Sequence, residues 1–132
     1  MNKKWLGLAI AALCGFASTR VLATDFDGSK ALLCATVDAH ACDAGVSCLR
    51  ALPVELGVPK FLRIDFAKKT IAGPQRATPI RWIETGQSQI LLEGTELGFA
   101  WSIAIDKMDG TLTGTLVDRE DALVLFGDCT PD

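Results

Sequence analysis

The chain has 132 residues, 49% of them hydrophobic and 22% charged, with 13 Lys and Arg against 16 Asp and Glu for a net charge of −3. That is material for one domain with one modest core. The acidic balance offers no basic surface of the kind that nucleic acid or an anionic membrane requires, so neither is expected as a main partner.

Residues 1–23 have the pattern of a cleaved signal peptide. A basic head, Met1-Asn2-Lys3-Lys4, precedes an apolar run from Trp5 to Ala17, a polar Ser18-Thr19-Arg20 and then Val21-Leu22-Ala23. Small or β-branched side chains stand where signal peptidase reads, which places cleavage between Ala23 and Thr24. The run is shorter than the roughly 20 residues that span a bilayer, and no second such run follows. The product is therefore expected to be a soluble monomer in an oxidising compartment, the periplasm, with no membrane insertion after cleavage. Cleavage removes Lys3, Lys4 and Arg20 and no acid, which takes the net charge from −3 to −6.

Of the 5 cysteines, Cys14 lies within the signal. Leu13 directly before it is too large for lipoprotein processing. Cys34, Cys42, Cys48 and Cys129 remain, an even count that implies two disulfides with three possible pairings. The favoured pairing is Cys42–Cys48, closing a small loop through Asp43, Gly45 and Ser47, with Cys34–Cys129 joining the two ends of the domain.

Residues 24–58 are expected to be a leader and a cysteine-rich loop segment. Thr24 to Lys30 is polar and acidic, a mobile leader. Ala31 to Val37 suits a strand or a short helix, Asp38 to Arg50 an irregular loop, and Val54 to Pro59 an extended approach between prolines. Residues 59–132 read as an antiparallel meander that forms one domain with that segment. Leu62, Ile64 and Phe66 alternate with Phe61, Arg63 and Asp65, the period of a half-buried strand. Ala67-Lys68-Lys69 reverses the chain toward Thr70-Ile71-Ala72. Pro79 to Glu84 makes another strand with Ile80 and Trp82 on one face, and Gln89 to Glu93 returns after Thr85-Gly86-Gln87-Ser88. Gly94 to Gly98 reads as a break. Trp101, Ile103 and Ile105 then share a face, Asp109-Gly110 signals a hairpin, Leu112 and Leu116 point inward, and Leu123 to Phe126 closes the sheet. The fold expected is all-β, an antiparallel meander of seven or eight strands curled into a small disulfide-bonded barrel or sandwich.

Little here suggests catalysis. His40 is the one histidine, so any Ser-His-Asp or Cys-His device must use it. No Gly-x-Ser-x-Gly turn surrounds a serine. Asp38, His40, Cys42, Asp43 and Cys48 fall within eleven residues and make His40, Cys42 and Cys48 weak candidates for zinc or copper. Their spacing departs from that of structural zinc sites, and oxidation would consume the thiols. Asp106 to Gly110 lacks the EF-hand ligand positions and reads as a plain hairpin. Glu84, Glu93, Glu96, Asp118, Glu120 and Asp121 offer carboxylates, but turn acids point into water more often than across a cleft. Trp82 and Trp101 are expected in the core, or lining an apolar ligand pocket if the barrel has a spare interior. Phe61 and Phe99 fall out of phase and mark either an exposed patch or a buried second face.

Leu62-Arg63-Ile64-Asp65-Phe66-Ala67-Lys68-Lys69-Thr70-Ile71, Trp101-Ser102-Ile103-Ala104-Ile105-Asp106 and the tail Phe126-Gly127-Asp128-Cys129 together resemble a group of small exported proteins of unknown function from Gram-negative bacteria. The resemblance implies a periplasmic location and carries over no site residue. The expectation is a non-enzymatic, cofactor-free binding module for an unknown protein or small ligand. An inhibitor of a lysozyme- or protease-type enzyme is the alternative, and metal handling comes after that.

Overall fold

The computed structural model describes residues 24–45 and 47–132. The proposed signal peptide, with Trp5 and Cys14, lies outside the described residues.

Among the described residues ten strands run in chain order: β1 (Leu32–Asp43), β2 (Leu49–Ala51), β3 (Phe61–Asp65), β4 (Thr70–Ala72), β5 (Ala77–Pro79), β6 (Trp82–Thr85), β7 (Gln89–Glu96), β8 (Phe99–Asp106), β9 (Thr111–Val117) and β10 (Asp121–Pro131). One 3-10 turn, Pro53–Leu56, interrupts them. Every pairing is antiparallel, in the order β5-β4-β3-β1-β10-β9-β8-β7-β6, with β2 paired to β1 beside this path. The sheet curls into a half-barrel, the all-β meander that the period-two alternation predicts. Its two outermost strands are consecutive in the chain. At Ile80 and Arg81 successive N–H groups donate to opposite neighbours, Lys69 O on β4's side at 2.8 Å and Glu93 O of β7 at 2.8 Å. Residues 77–85 thus act as one strand that changes partner midway, and counted so the path has eight strands.

That change of partner corrects the pattern expected for Pro79 to Glu84. Ile80 is buried at 5%, whereas Trp82 stands 44% exposed. The irregular loop expected over Asp38 to Arg50 is instead a hairpin. β1 continues to Asp43 in register with Asp121 of β10, and β2 returns along it with Arg50 opposite His40. Nor does the strand stop at Gly94, because β7 continues to Glu96. Gly94 lies opposite Trp101 in the ladder, and a Cβ there would stand 2.6 Å from Trp101 Cε2. The glycine makes room for the indole rather than ending the strand. Residues 53–56 form a 3-10 turn in place of an extended approach.

Side chains from alternate positions fill one end of the half-barrel. Leu32, Cys34, Ile64, Ile90, Leu92 and Ile105 are fully or nearly fully buried there, at about 1.5–3 kcal/mol of transfer free energy for each large apolar side chain. Phe26 and Phe66 pack against this cluster. Phe26 therefore anchors the segment expected to be a mobile leader, and it does so over Gly110, whose positive φ of 78° closes the β8–β9 hairpin. Asp106 and Asp109 finish that hairpin by accepting the N–H groups of Met108 (2.7 Å) and Thr111 (2.9 Å). Cys34 pairs with Cys129 across β1 and β10, and Cys42 with Cys48 at the far end of β1.

Asp65 is the one charged residue among the buried described side chains, at 9% exposure. Its carboxylate accepts the Lys68 N–H at 2.9 Å and an Arg63 N–H at 3.0 Å. The Lys68 N–H first, and then Arg63, hold its carboxyl below the ordinary value of 3.8. Arg63 also pairs with Asp132, tying the chain's last residue to β3. Among the described residues no helix is long and apolar enough to cross a membrane.

Candidate ligand-binding site

The other end of the half-barrel is not filled. A cavity of about 440 Å³ lies there, within the range of small-molecule sites. Its floor is the inner face of the sheet, with Trp101 and Ile103 from β8, Leu112, Gly114 and Leu116 from β9, and Leu123 and Leu125 from β10. The 3-10 turn and its exit close one flank with Val54, Leu56, Val58 and Pro59. The other flank comes from Gly73 to Arg76, Thr78 of β5 and the Glu96 to Phe99 turn.

The cavity exists because the inward positions carry small residues where a filled core would carry large ones. Gly114 sits in the ladder between Ile103 and Leu125, and a Cβ built on it would meet only ordinary contacts, 3.5 Å from Ile103 Cγ1 and 3.8 Å from Leu125 Cβ. Thr36, Thr78 and Thr115 are the hydroxyl-bearing residues of the lining, and each is already committed: Thr36 donates to Pro59 O at 2.9 Å, Thr78 to Thr95 O at 3.2 Å, and Thr115 shares a 2.9 Å hydrogen bond with the Ser102 hydroxyl.

The wall has a seam. Above Ile80 and Arg81 no backbone ladder joins β5 to β7 among the described residues. The Thr78 hydroxyl and an Arg76–Glu96 ion pair with Nε 3.4 Å from Oε1 bridge it instead. Leu97 and Gly98 form the two-residue turn beside this seam with φ of 51° and 88°, the doubly positive arrangement that Asn-Gly adopts most readily. A leucine in the left-handed region is strained, by roughly 1–2 kcal/mol. It is held there 74% exposed at the mouth of the cavity, and Val54, 67% exposed, stands in the rim of the other flank.

Trp101 is 93% buried, as expected of a core side chain, and it also lines the cavity. Its Nε1 is the buried side-chain polar atom without a hydrogen-bond partner among the described residues. Phe99 also faces the cavity, whereas Phe61 is exposed on the outer surface. Of the six carboxylates singled out from the sequence, Glu96 alone is in the lining.

The proposed metal ligands are not brought together. Cys42 and Cys48 are joined to each other and offer no thiolate. His40 lies on β1 with its ring edge-on to Phe126, 6.2 Å between centroids. Among the described residues no three His, Cys, Asp or Glu side chains gather into a metal site.

Sequence reasoning did not find Arg76, Lys60, Val54 or Leu97 as rim residues. The Leu97-Gly98 pair held the one usable signal, an apolar residue where a tight hairpin favours asparagine. The chain matches no protein-family model, no curated protein and no solved structure.

Proposed function

We propose that the protein is an exported, non-catalytic binding module of the periplasm that holds a small, largely apolar molecule in the open end of its half-barrel. The observation that carries this reading is the 440 Å³ cavity floored by core-type side chains and rimmed by exposed Val54 and Leu97. A folded chain gains little from leaving such a floor uncovered, whereas an apolar ligand recovers its burial. The basic and then apolar start of the sequence and the two disulfides support the periplasmic location.

Titration with N-phenyl-1-naphthylamine, a neutral apolar fluorophore, tests it. Saturable blue-shifted emission at one probe per chain is expected, and emission that never saturates would sink the proposal. Native mass spectrometry of protein from the periplasm, alkylated without reduction, tests the export arm. Residues 24–132 less four hydrogens and no label are expected.

A second reading, inhibition of a basic enzyme such as a lysozyme, has its own support. Asp118, Glu120 and Asp121 crowd the β9–β10 turn, and Asp43 lies opposite Asp121 in the ladder. Burial, and then Asp43 and the neighbouring acids, raise the Asp121 carboxyl above its ordinary value. A basic partner would relieve that crowding. Loss of lysozyme activity at equimolar ratio would favour this reading over the first.

A further inference from the structure

The rim of the cavity is charged differently from the rest of the molecule. Its ionisable lining residues are Lys60, Arg76 and Glu96, two cations to one acid in a chain whose net charge is −3. Lys60 and Arg76 both belong to the lining, and the segments that carry them meet where Pro59 packs on Gly73. Pro59 packs so closely on Gly73 that a Cβ there would stand 3.0 Å from Pro59 Cγ, and the Gly73 N–H donates to Arg76 O at 2.9 Å. Lys60 Nζ lies 5.7 Å from the Phe61 ring centroid, and no described carboxylate stands within ion-pair distance of it.

Arg76 is poorly matched by Glu96. The contact is a single Nε–Oε1 approach at 3.4 Å, half-exposed, where a guanidinium facing a carboxylate squarely makes two parallel hydrogen bonds. The fork is thus available to another anion at the edge of an apolar cavity. The acidic balance of the whole chain repels a small anion on approach, so an occupant must bring its own apolar body.

We infer that the ligand is a single-chain anionic amphiphile, in the simplest case a long-chain carboxylate. Its tail lies over Ile103, Leu112 and Leu125, and its head group takes the place of Glu96 on Arg76, while Lys60, whose Nζ lies against the outward Phe61 ring, adds positive charge to the same rim. The inference rests on the pocket reading proposed above. The exposed Leu97 and Val54 extend the apolar contact to the part of the tail nearest the head, which accounts for a leucine in that turn.

Calorimetric titration with dodecanoate, dodecanol and acetate tests it. Dodecanoate should bind at least tenfold more tightly than dodecanol, and acetate should show no binding. Arg76→Gln should bring the dodecanoate-to-dodecanol affinity ratio close to one. Glu96→Gln, which removes the competing carboxylate, should raise the ratio above that of the unaltered protein. Equal affinities for dodecanoate and dodecanol, or a ratio untouched by both substitutions, would overturn the head-group assignment and leave the pocket standing. Failure of dodecanoate, dodecanol and N-phenyl-1-naphthylamine alike would overturn the pocket itself.

Discussion

Gly114 is where stability and binding should part company. It is buried, faces inward from β9 between Ile103 and Leu125, and lies in the floor of the cavity. Its φ is outside the left-handed region, so a side chain there carries no backbone strain. A Cβ would meet Ser102 O at 3.5 Å and Ile103 Cγ1 at 3.5 Å, ordinary van der Waals separations. Gly114→Val adds three carbons to the cavity. At about 0.8 kcal/mol per buried methylene-sized group this is roughly 2.4 kcal/mol. Fixing the valine rotamer removes on the order of 0.5 kcal/mol, and replacing a strand glycine returns a similar amount.

The net expectation is a gain of about 1–2 kcal/mol, because the added methyl groups border space that is only partly enclosed. Urea denaturation followed by far-UV circular dichroism reads the gain as a higher midpoint at constant slope. The same variant should lose affinity for N-phenyl-1-naphthylamine by at least tenfold. A stabilised protein that still binds the probe as before would place the ligand elsewhere. A loss of more than about 1 kcal/mol would mean that the space above Gly114 is not there to be filled.

Replacing Cys34 and Cys129 by alanine opens a loop closed over a separation of 95 residues; chain entropy puts the loss near 4–5 kcal/mol, to be read as a denaturation midpoint against the unaltered protein. Gly94→Ala drives a methyl group into the Trp101 ring and should cost about 1–3 kcal/mol, with a shift in tryptophan emission as the indole moves. Leu97→Asn should relieve backbone strain and stabilise by about 1 kcal/mol while weakening probe binding. For pH, Asp65 has a lowered carboxyl pKa in the folded state, so its contribution is present above the unfolded value near 3.8 and is lost as pH falls below it. Asp65→Asn should lower stability at neutral pH and flatten the acid limb of a midpoint-against-pH curve. An unchanged acid limb would refute the role given to the Lys68 N–H and Arg63.

Most of the sheet was legible because its strands obey one rule. Along β8 and β9 every second residue is buried or half-buried, and the alternation of Trp101, Ile103, Ile105 and Leu112 announces both strands and the turn between them. The disulfides were legible from the even count of cysteines that follow the expected signal. The errors have a common cause, which is that a strand's partner is invisible in its own residues. β1 runs through His40 and Cys42 because β10 and β2 flank it there, although its local composition is that of a loop. Gly94 stays in a strand only because Trp101 lies across it. The segment 77–85 changes faces because it changes neighbours. The cavity was foreseen only conditionally, as the spare interior of a barrel, since the absence of a side chain at Gly114 becomes room only once Ile103 and Leu125 are known to stand beside it.

The two ends of the half-barrel are built to opposite ends of the same compromise. At the filled end, long side chains interdigitate, Phe26 and Phe66 pack against them, and the Cys34–Cys129 bond ties the central strands. At the open end β4 and β5 shrink to three residues each, the ladder stops between β5 and β7, and side chains bridge the gap. Selection for stability alone would favour a larger residue at position 114 and asparagine at 97, and each is a single-residue change. Glycine and leucine stand there instead, one leaving room inside the cavity and the other placing apolar surface at its mouth. The filled end supplies the stability that lets the open end keep both, and an occupant with an apolar body explains the pair together, where imperfect packing would explain only the glycine.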